Sequence, residues 1–167
     1  MFMRVLVLTV ALVLSSNADA TMLKAGDRFP AWQLVDQTGA TVRAQDLAGR
    51  RYLLWFYPKA MTPGCTAEGQ GLRDAYANFQ AKGVAVYGVS FDPPADNARF
   101  VAAEGFPFKL LSDERRTLAV QVGAAESPSA PVARRISYLI GPDGIVLAAY
   151  DGVQPSTHAK QVLDDLQ

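Results

Sequence analysis

Apolar and polar positions along this chain switch between two periods, and the switches divide it into elements. Tyr52 to Tyr57 is continuously apolar, as in a strand covered on both faces, and Pro58 ends it. Val84 to Phe91 repeats that pattern and predicts a second buried strand. Between them Leu72, Ala75, Tyr76 and Phe79 recur at helical spacing, which predicts a helix from near Pro63 to about Lys82, closed by Gly83. Trp32 to Val35 and Thr41-Val42 flank Gln37-Thr38-Gly39 and predict a short opening hairpin. Asp92 and two prolines open another helix, with Asp96 as its cap and Ala98, Val101 and Ala102 on one face. Phe108 to Leu111 predicts a short strand, and Arg116 to Gln121 a short helix. Residues 123–134 are small and Pro-rich and predict a loop long enough for function or mobility. Ile136 to Ile140 and Ile145 to Tyr150 predict a hairpin across Gly141-Pro142-Asp143-Gly144. Ala159, Val162, Leu163 and Leu166 stripe the last helix, with Ser156 or Thr157 as cap. The order β-α-β-α-β-α-β-β-α predicts an α/β fold, a central mixed sheet flanked by helices with a short N-terminal β-hairpin.

Residues 1–20 do not fit that scheme. Arg4 precedes an apolar stretch from Val5 to Leu14, and Ala18-Asp19-Ala20 is a small-x-small site. This is the layout of a secretory signal peptide cleaved before Thr21. The apolar stretch is short for a membrane span, and no cysteine follows it that a lipid anchor could use. Export from a bacterium would place residues 21–167 in the periplasm as one soluble domain. Composition agrees with a globular product, because half of the residues are hydrophobic (50%) and only 19% are charged. Lys plus Arg and Asp plus Glu balance at 16 each, which gives no support for nucleic acid or an acidic membrane surface as partner.

Cysteine occurs once, at Cys65. A single cysteine excludes an internal disulfide and a thiolate-rich zinc or iron–sulfur site, and no other metal constellation or cofactor motif stands out. Cys65 falls where a buried strand has ended and a helix begins. Unpaired backbone N–H groups and the positive end of the helix dipole collect there, and both favour a thiolate. Gly64, without a Cβ, lets its amide approach a ligand, and the Thr62 hydroxyl can donate and accept. Glu68 lies one helical turn after Cys65 on nearly the same face.

The pattern Pro-x-x-x-Thr-x-x-Cys, carried by Pro58, Thr62 and Cys65, resembles the peroxiredoxin active-site motif. The run FYPKAMTPGCTAE is similar to the PrxQ (bacterioferritin comigratory protein) branch, and the segments FKLLSDE and RRISYLIGPDGIV look like later parts of it in the same order. The resemblance spans most of residues 21–167 and implies a thioredoxin-like fold. It implies that Cys65 is a peroxidatic nucleophile that takes one peroxide oxygen as a sulfenic acid. Arg135 falls on the family's activating arginine, Thr62 would bond the thiolate and the peroxide, and the amides of Gly64 and Cys65 would cradle the other oxygen. Pro58 would shield the thiolate, and Glu68 would help to position the arginine. Arg134 is the rival of Arg135, and alternation along a strand lets only one of them face Cys65.

Where many PrxQ proteins carry a resolving cysteine, this chain has Gln70. The sulfenate would need an external thiol: a small thiol, a thioredoxin- or glutaredoxin-like protein, or Cys65 of a second chain. A monomer or weak homodimer is expected. Two other functions compete: a thioredoxin-like disulfide oxidoreductase, which lacks its Cys-x-x-Cys here, and a redox-sensing or chaperone-like binding protein. His158, the single histidine, starts the last helix and is expected at the surface. Asp92, Asp96, Asp113 and Asp143 are expected at turns and caps. Trp32 and Trp55 are expected in the core or lining a pocket, and Phe91, Phe100, Phe106 and Tyr150 mainly in the core.

Overall fold

The computed structural model describes residues 21–166, so the leader predicted at 1–20 lies outside the described residues. The chain runs β1 (Gln33–Asp36), β2 (Thr41–Arg43), a 3₁₀ turn (Ala44–Leu47), β3 (Arg51–Phe56), α1 (Pro63–Asp74), α2 (Tyr76–Ala81) and β4 (Val84–Ser90). It continues with α3 (Pro94–Glu104), β5 (Lys109–Ser112), α4 (Thr117–Gln121), β6 (Ile136–Ile140), β7 (Val146–Asp151) and α5 (His158–Asp165). The strands form one mixed sheet in the order β2-β1-β5-β4-β3-β6-β7. β3, β4 and β5 are parallel, with β3 paired to β4 and β4 to β5. β6 is antiparallel to β3, and β7 to β6. This is the expected central sheet, with the opening hairpin β1–β2 attached antiparallel to β5.

Alternation along β3 and β6 gives the sheet two apolar faces. Leu54 and Phe56 join Ile136, Tyr138 and Ile140 in one core. Leu53, Trp55 and Tyr57 join Leu139 and the helix residues Cys65, Leu72, Phe79, Phe100 and Val162 in the other. Both strands are buried nearly end to end, which is why their sequences read as unbroken apolar runs. Helix α1 meets the sheet closely at Gly69. A Cβ there would lie 2.4 Å from Phe106 and 3.0 Å from Trp55, so only glycine permits this approach.

Several local expectations are corrected. The helix predicted from Pro63 to Lys82 is two helices, broken at Ala75, where ψ is near zero. The break lets α1 pack on α5 and α3 while α2 runs along β4. Asp96 is not the cap of α3. The helix starts at Pro94, and Asp96 sits in its first turn, paired with Arg99. The fully buried residues of α3 are Asn97 and Phe100, while of the predicted face Ala98 and Val101 are half-buried and Ala102 is exposed. Asn97 is buried because its Oδ1 accepts from the Tyr57 hydroxyl (2.6 Å) and its amide donates to Ser112 Oγ (3.2 Å). Thr157 stands at the N-cap of α5 but makes no capping hydrogen bond. The 123–134 loop is tied down at its end: Arg134 donates from its backbone to Ala124 O (2.8 Å) and from Nη1 to Gly123 O (2.9 Å).

Candidate active site

Cys65 is the third residue of α1 and is fully buried (0% exposed). The first bond of the helical ladder runs from Thr66 N–H to Thr62 O (2.9 Å). The amides of Gly64 and Cys65 therefore precede the ladder, in the first turn that the sequence predicts. The loop from β3 to α1 is braced by Asp92, which is buried. Its Oδ2 accepts from Ala60 N (2.9 Å) and Ser90 Oγ (2.9 Å), and Lys59 Nζ lies 2.7 Å from Oδ1. Met61, at the crest of the loop, is 56% exposed and has φ 65°, a left-handed backbone that costs a non-glycine residue about 1 kcal/mol.

Arg135 reaches this site from the residue before β6. By alternation it shares a face with Ser137 and Leu139, the face on which α1 and α5 pack. Its Nη2 lies 3.6 Å from Cys65 Sγ, and its Nη1 donates to Glu68 Oε2. Arg134 faces the other way, to Gly123 O and Asp151 (2.9 Å), so of the two arginines it is Arg135 that faces Cys65. Burial works against the charge of Arg135, but Glu68 and Cys65 outweigh it and hold the guanidinium protonated. Glu68 is wholly buried, and burial pushes its carboxyl above the ordinary range against the pull of Trp55 and Arg135. A Cβ on Gly64 would stand 3.1 Å from Arg135 Nη2, so this glycine leaves room for the guanidinium beside the sulfur.

Cys65, Arg135, Glu68 and Gly64 are thus assembled as one cluster. Thr62 stands at the N-cap of α1, but its hydroxyl donates to Lys59 O (2.7 Å) rather than to the sulfur. Pro58 is half-buried and opens the loop where β3 has ended. Two further residues were not foreseen. Asp92 braces the loop instead of merely flanking a turn. His158 is not at the surface: it is fully buried, its Nε2 is 2.9 Å from Ser137 Oγ and 3.9 Å from Glu68 Oε1, and Tyr150 packs edge-on against its ring at 5.4 Å. Burial, aided by Arg135, pushes the His158 pKa down to about 4, so the ring is neutral at pH 7. Ser137, placed two residues after Arg135 on one strand face, was the available signal for it. Phe100, Phe106 and Tyr150 are core residues, and Phe91 packs under Arg116.

Residues 25–149 match the model of the AhpC/TSA family. The chain is 41% identical over 150 residues to peroxiredoxin Bcp of Escherichia coli K12, covering 87% of this chain and 96% of that one. The chain is a peroxiredoxin of the AhpC/TSA family. Among solved structures, the peroxidoxin BcpB of Mycobacterium tuberculosis superposes with a TM-score of 0.81 at 33% identity, over 87% of this chain and 97% of that one. PrxQ of Xylella fastidiosa gives 0.81 at 27% identity, over 87% and 96%. The fold is thus the thioredoxin-like fold of peroxiredoxins. Peroxiredoxins are thiol-dependent peroxidases, with a peroxide as substrate and a thiol as reductant. This peroxiredoxin has one thiol with which to work, Cys65.

Proposed function

We propose that Cys65 is the peroxidatic nucleophile of a one-cysteine peroxidase acting on hydrogen peroxide and organic hydroperoxides. The thiolate sulfur attacks one peroxide oxygen, the O–O bond breaks, and the other oxygen leaves as water or an alcohol after taking a proton. Sulfur is oxidised by two electrons and the peroxide is reduced by two. Arg135 sits where it stabilises the thiolate and the charge that develops on the departing oxygen. Gly64 and Cys65 offer their amides, Thr62 offers lone pairs, and Pro58 limits solvent. An external thiol then displaces water from the sulfenic acid to form a mixed disulfide, and a second thiol releases Cys65. Gln70 supplies no internal route. The reductant is a small thiol or a thioredoxin- or glutaredoxin-like protein, and the enzyme works outside the cytoplasm after its leader is removed.

The observation that carries this reading is the placement of Arg135 Nη2 beside the one sulfur, 3.6 Å away. Steady-state peroxide consumption with a thiol reductant tests it. Sustained turnover that is abolished in Cys65→Ser is expected. One oxidation per chain with no turnover under any thiol would instead favour a redox-sensing binding protein.

A further inference from the structure

Arg135 divides its two terminal nitrogens between two side chains, Nη1 to Glu68 Oε2 and Nη2 to Cys65 Sγ. A guanidinium beside a carboxylate ordinarily closes on both oxygens, fork against fork. Here the second oxygen, Glu68 Oε1, is buried with no well-aligned hydrogen bond among the described residues. The indole N–H of Trp55 faces the same carboxylate, also without good alignment. On the remaining side stands His158, its Nε2 3.9 Å from Oε1 and 2.9 Å from Ser137 Oγ.

The tautomer follows from burial. Among the described residues His158 Nδ1 has no partner, and orphaned buried N–H groups are rarer than under-satisfied buried acceptors. The proton of the neutral ring therefore sits on Nε2, facing Ser137 Oγ and Glu68 Oε1. The groups around the ring are Glu68 from α1, Arg135 ahead of β6, Ser137 on β6 and Tyr150 on β7, whose hydroxyl donates to Asp165 of α5 (2.9 Å). None of these is a second cation that would draw Glu68 away from Arg135.

We propose that His158 is a positioning residue of the peroxidase site: its Nε2–H guards the Oε1 side of Glu68, so that Arg135 pairs with Glu68 through one nitrogen and keeps the other for Cys65. Without that group, the carboxylate is met on that side only by the poorly aligned Trp55 N–H, so Arg135 gains more by turning Nη2 to Oε1 than by staying beside the sulfur, and Cys65 loses its cation. His158 touches neither sulfur nor peroxide in this scheme and acts through Glu68. The inference rests on the peroxidatic role of Cys65, and its main readout needs no peroxide.

The test is the titration of the Cys65 thiolate by ultraviolet absorbance, alongside the rate of oxidation by hydrogen peroxide, in the wild type, His158→Leu and His158→Gln. In His158→Leu the midpoint of thiolate formation should rise by about one pH unit and the rate at pH 7 should fall by up to about tenfold, the factor that one unit represents. His158→Gln, whose amide N–H can face the same oxygen, should stay within about threefold of the wild-type rate. A wild-type midpoint in His158→Leu would overturn the proposal, and so would equal losses in the Leu and Gln variants. Ser137→Ala adds a milder variant: it removes the competing acceptor, so Nε2–H settles on Oε1 and the midpoint stays at or below the wild-type value. A rise there would overturn the proposal too. Slow peroxide oxidation of the wild type would defeat the peroxidase reading, while the thiolate titrations would still decide the role of His158.

Discussion

Asp36 and Glu68 are both wholly buried carboxylates with one strong cation apiece, and they are built in opposite ways. Asp36 closes its own hairpin. Its Oδ1 accepts from Thr38 N (2.8 Å), Thr38 Oγ1 (2.6 Å) and Ala40 N (3.0 Å), and Lys109 Nζ lies 2.7 Å from Oδ2. Burial pushes its pKa up, but Lys109, the Thr38 hydroxyl and the two backbone N–H groups outweigh that and bring it down to about 2. Glu68 has Arg135 on one oxygen and no good hydrogen bond on the other, and burial prevails in keeping its pKa raised. A buried carboxylate whose donors come from its own turn fixes a fold. On the proposed reading, Glu68, left short of donors beside a cation, holds that cation toward the sulfur of Cys65.

Removing each charge should separate the two roles. Glu68→Gln keeps the shape and frees Arg135, so stopped-flow oxidation of Cys65 by peroxide should slow by about 10²–10³-fold, the range for loss of a preorganised electrostatic partner. Acid unfolding should then reveal two windows. His158 titrates at about 4 in the fold against 6.5 when unfolded, so between those values the unfolded chain binds the extra proton. Stability therefore decreases as the pH is lowered through that window, by roughly 3 kcal/mol from His158 alone. Glu68, with its pKa raised in the fold, offsets part of this loss by taking up its proton early. The Asp36 contribution is complete above the ordinary value of 3.8 and is lost as pH falls to about 2. Denaturant titrations across pH check both windows, and His158→Gln should flatten the upper one only. The smallest effect is expected for Asp36→Asn: a stability loss of about 1–2 kcal/mol, with a peroxide rate within about twofold of wild type. A large loss of rate in that variant would erase the distinction between the two carboxylates.

The sequence carried the frame of this site because the frame is made of local patterns. Unbroken apolar runs mark β3 and β4, and the strand ending before Pro58 puts Cys65 at a helix start. Alternation along β6 limits Cys65 to one of two adjacent arginines. What escaped was polar burial. Asn97, Asp92 and His158 lie in the interior because their partners come from elsewhere: Tyr57 and Ser112, the Ala60 amide and Lys59, Ser137 and Glu68. No periodicity shows such pairings, so a polar residue on a helix reads as surface until the tertiary partner is known. The break at Ala75 was hidden for a related reason. Leu72 and Phe79 keep helical spacing across it and are both fully buried, so the pattern looks continuous while the backbone is not.

The most direct measurement is rapid mixing of the pre-reduced protein with hydrogen peroxide, followed by the fluorescence of Trp55, which is buried against the Glu68 carboxylate, and by intact mass. An Arg135-activated Cys65 should gain one oxygen orders of magnitude faster than a free thiol, and Cys65→Ser should give no such phase. A rate no faster than that of a free thiol would contradict the claim that the Cys65, Arg135 and Glu68 cluster is a peroxidatic centre.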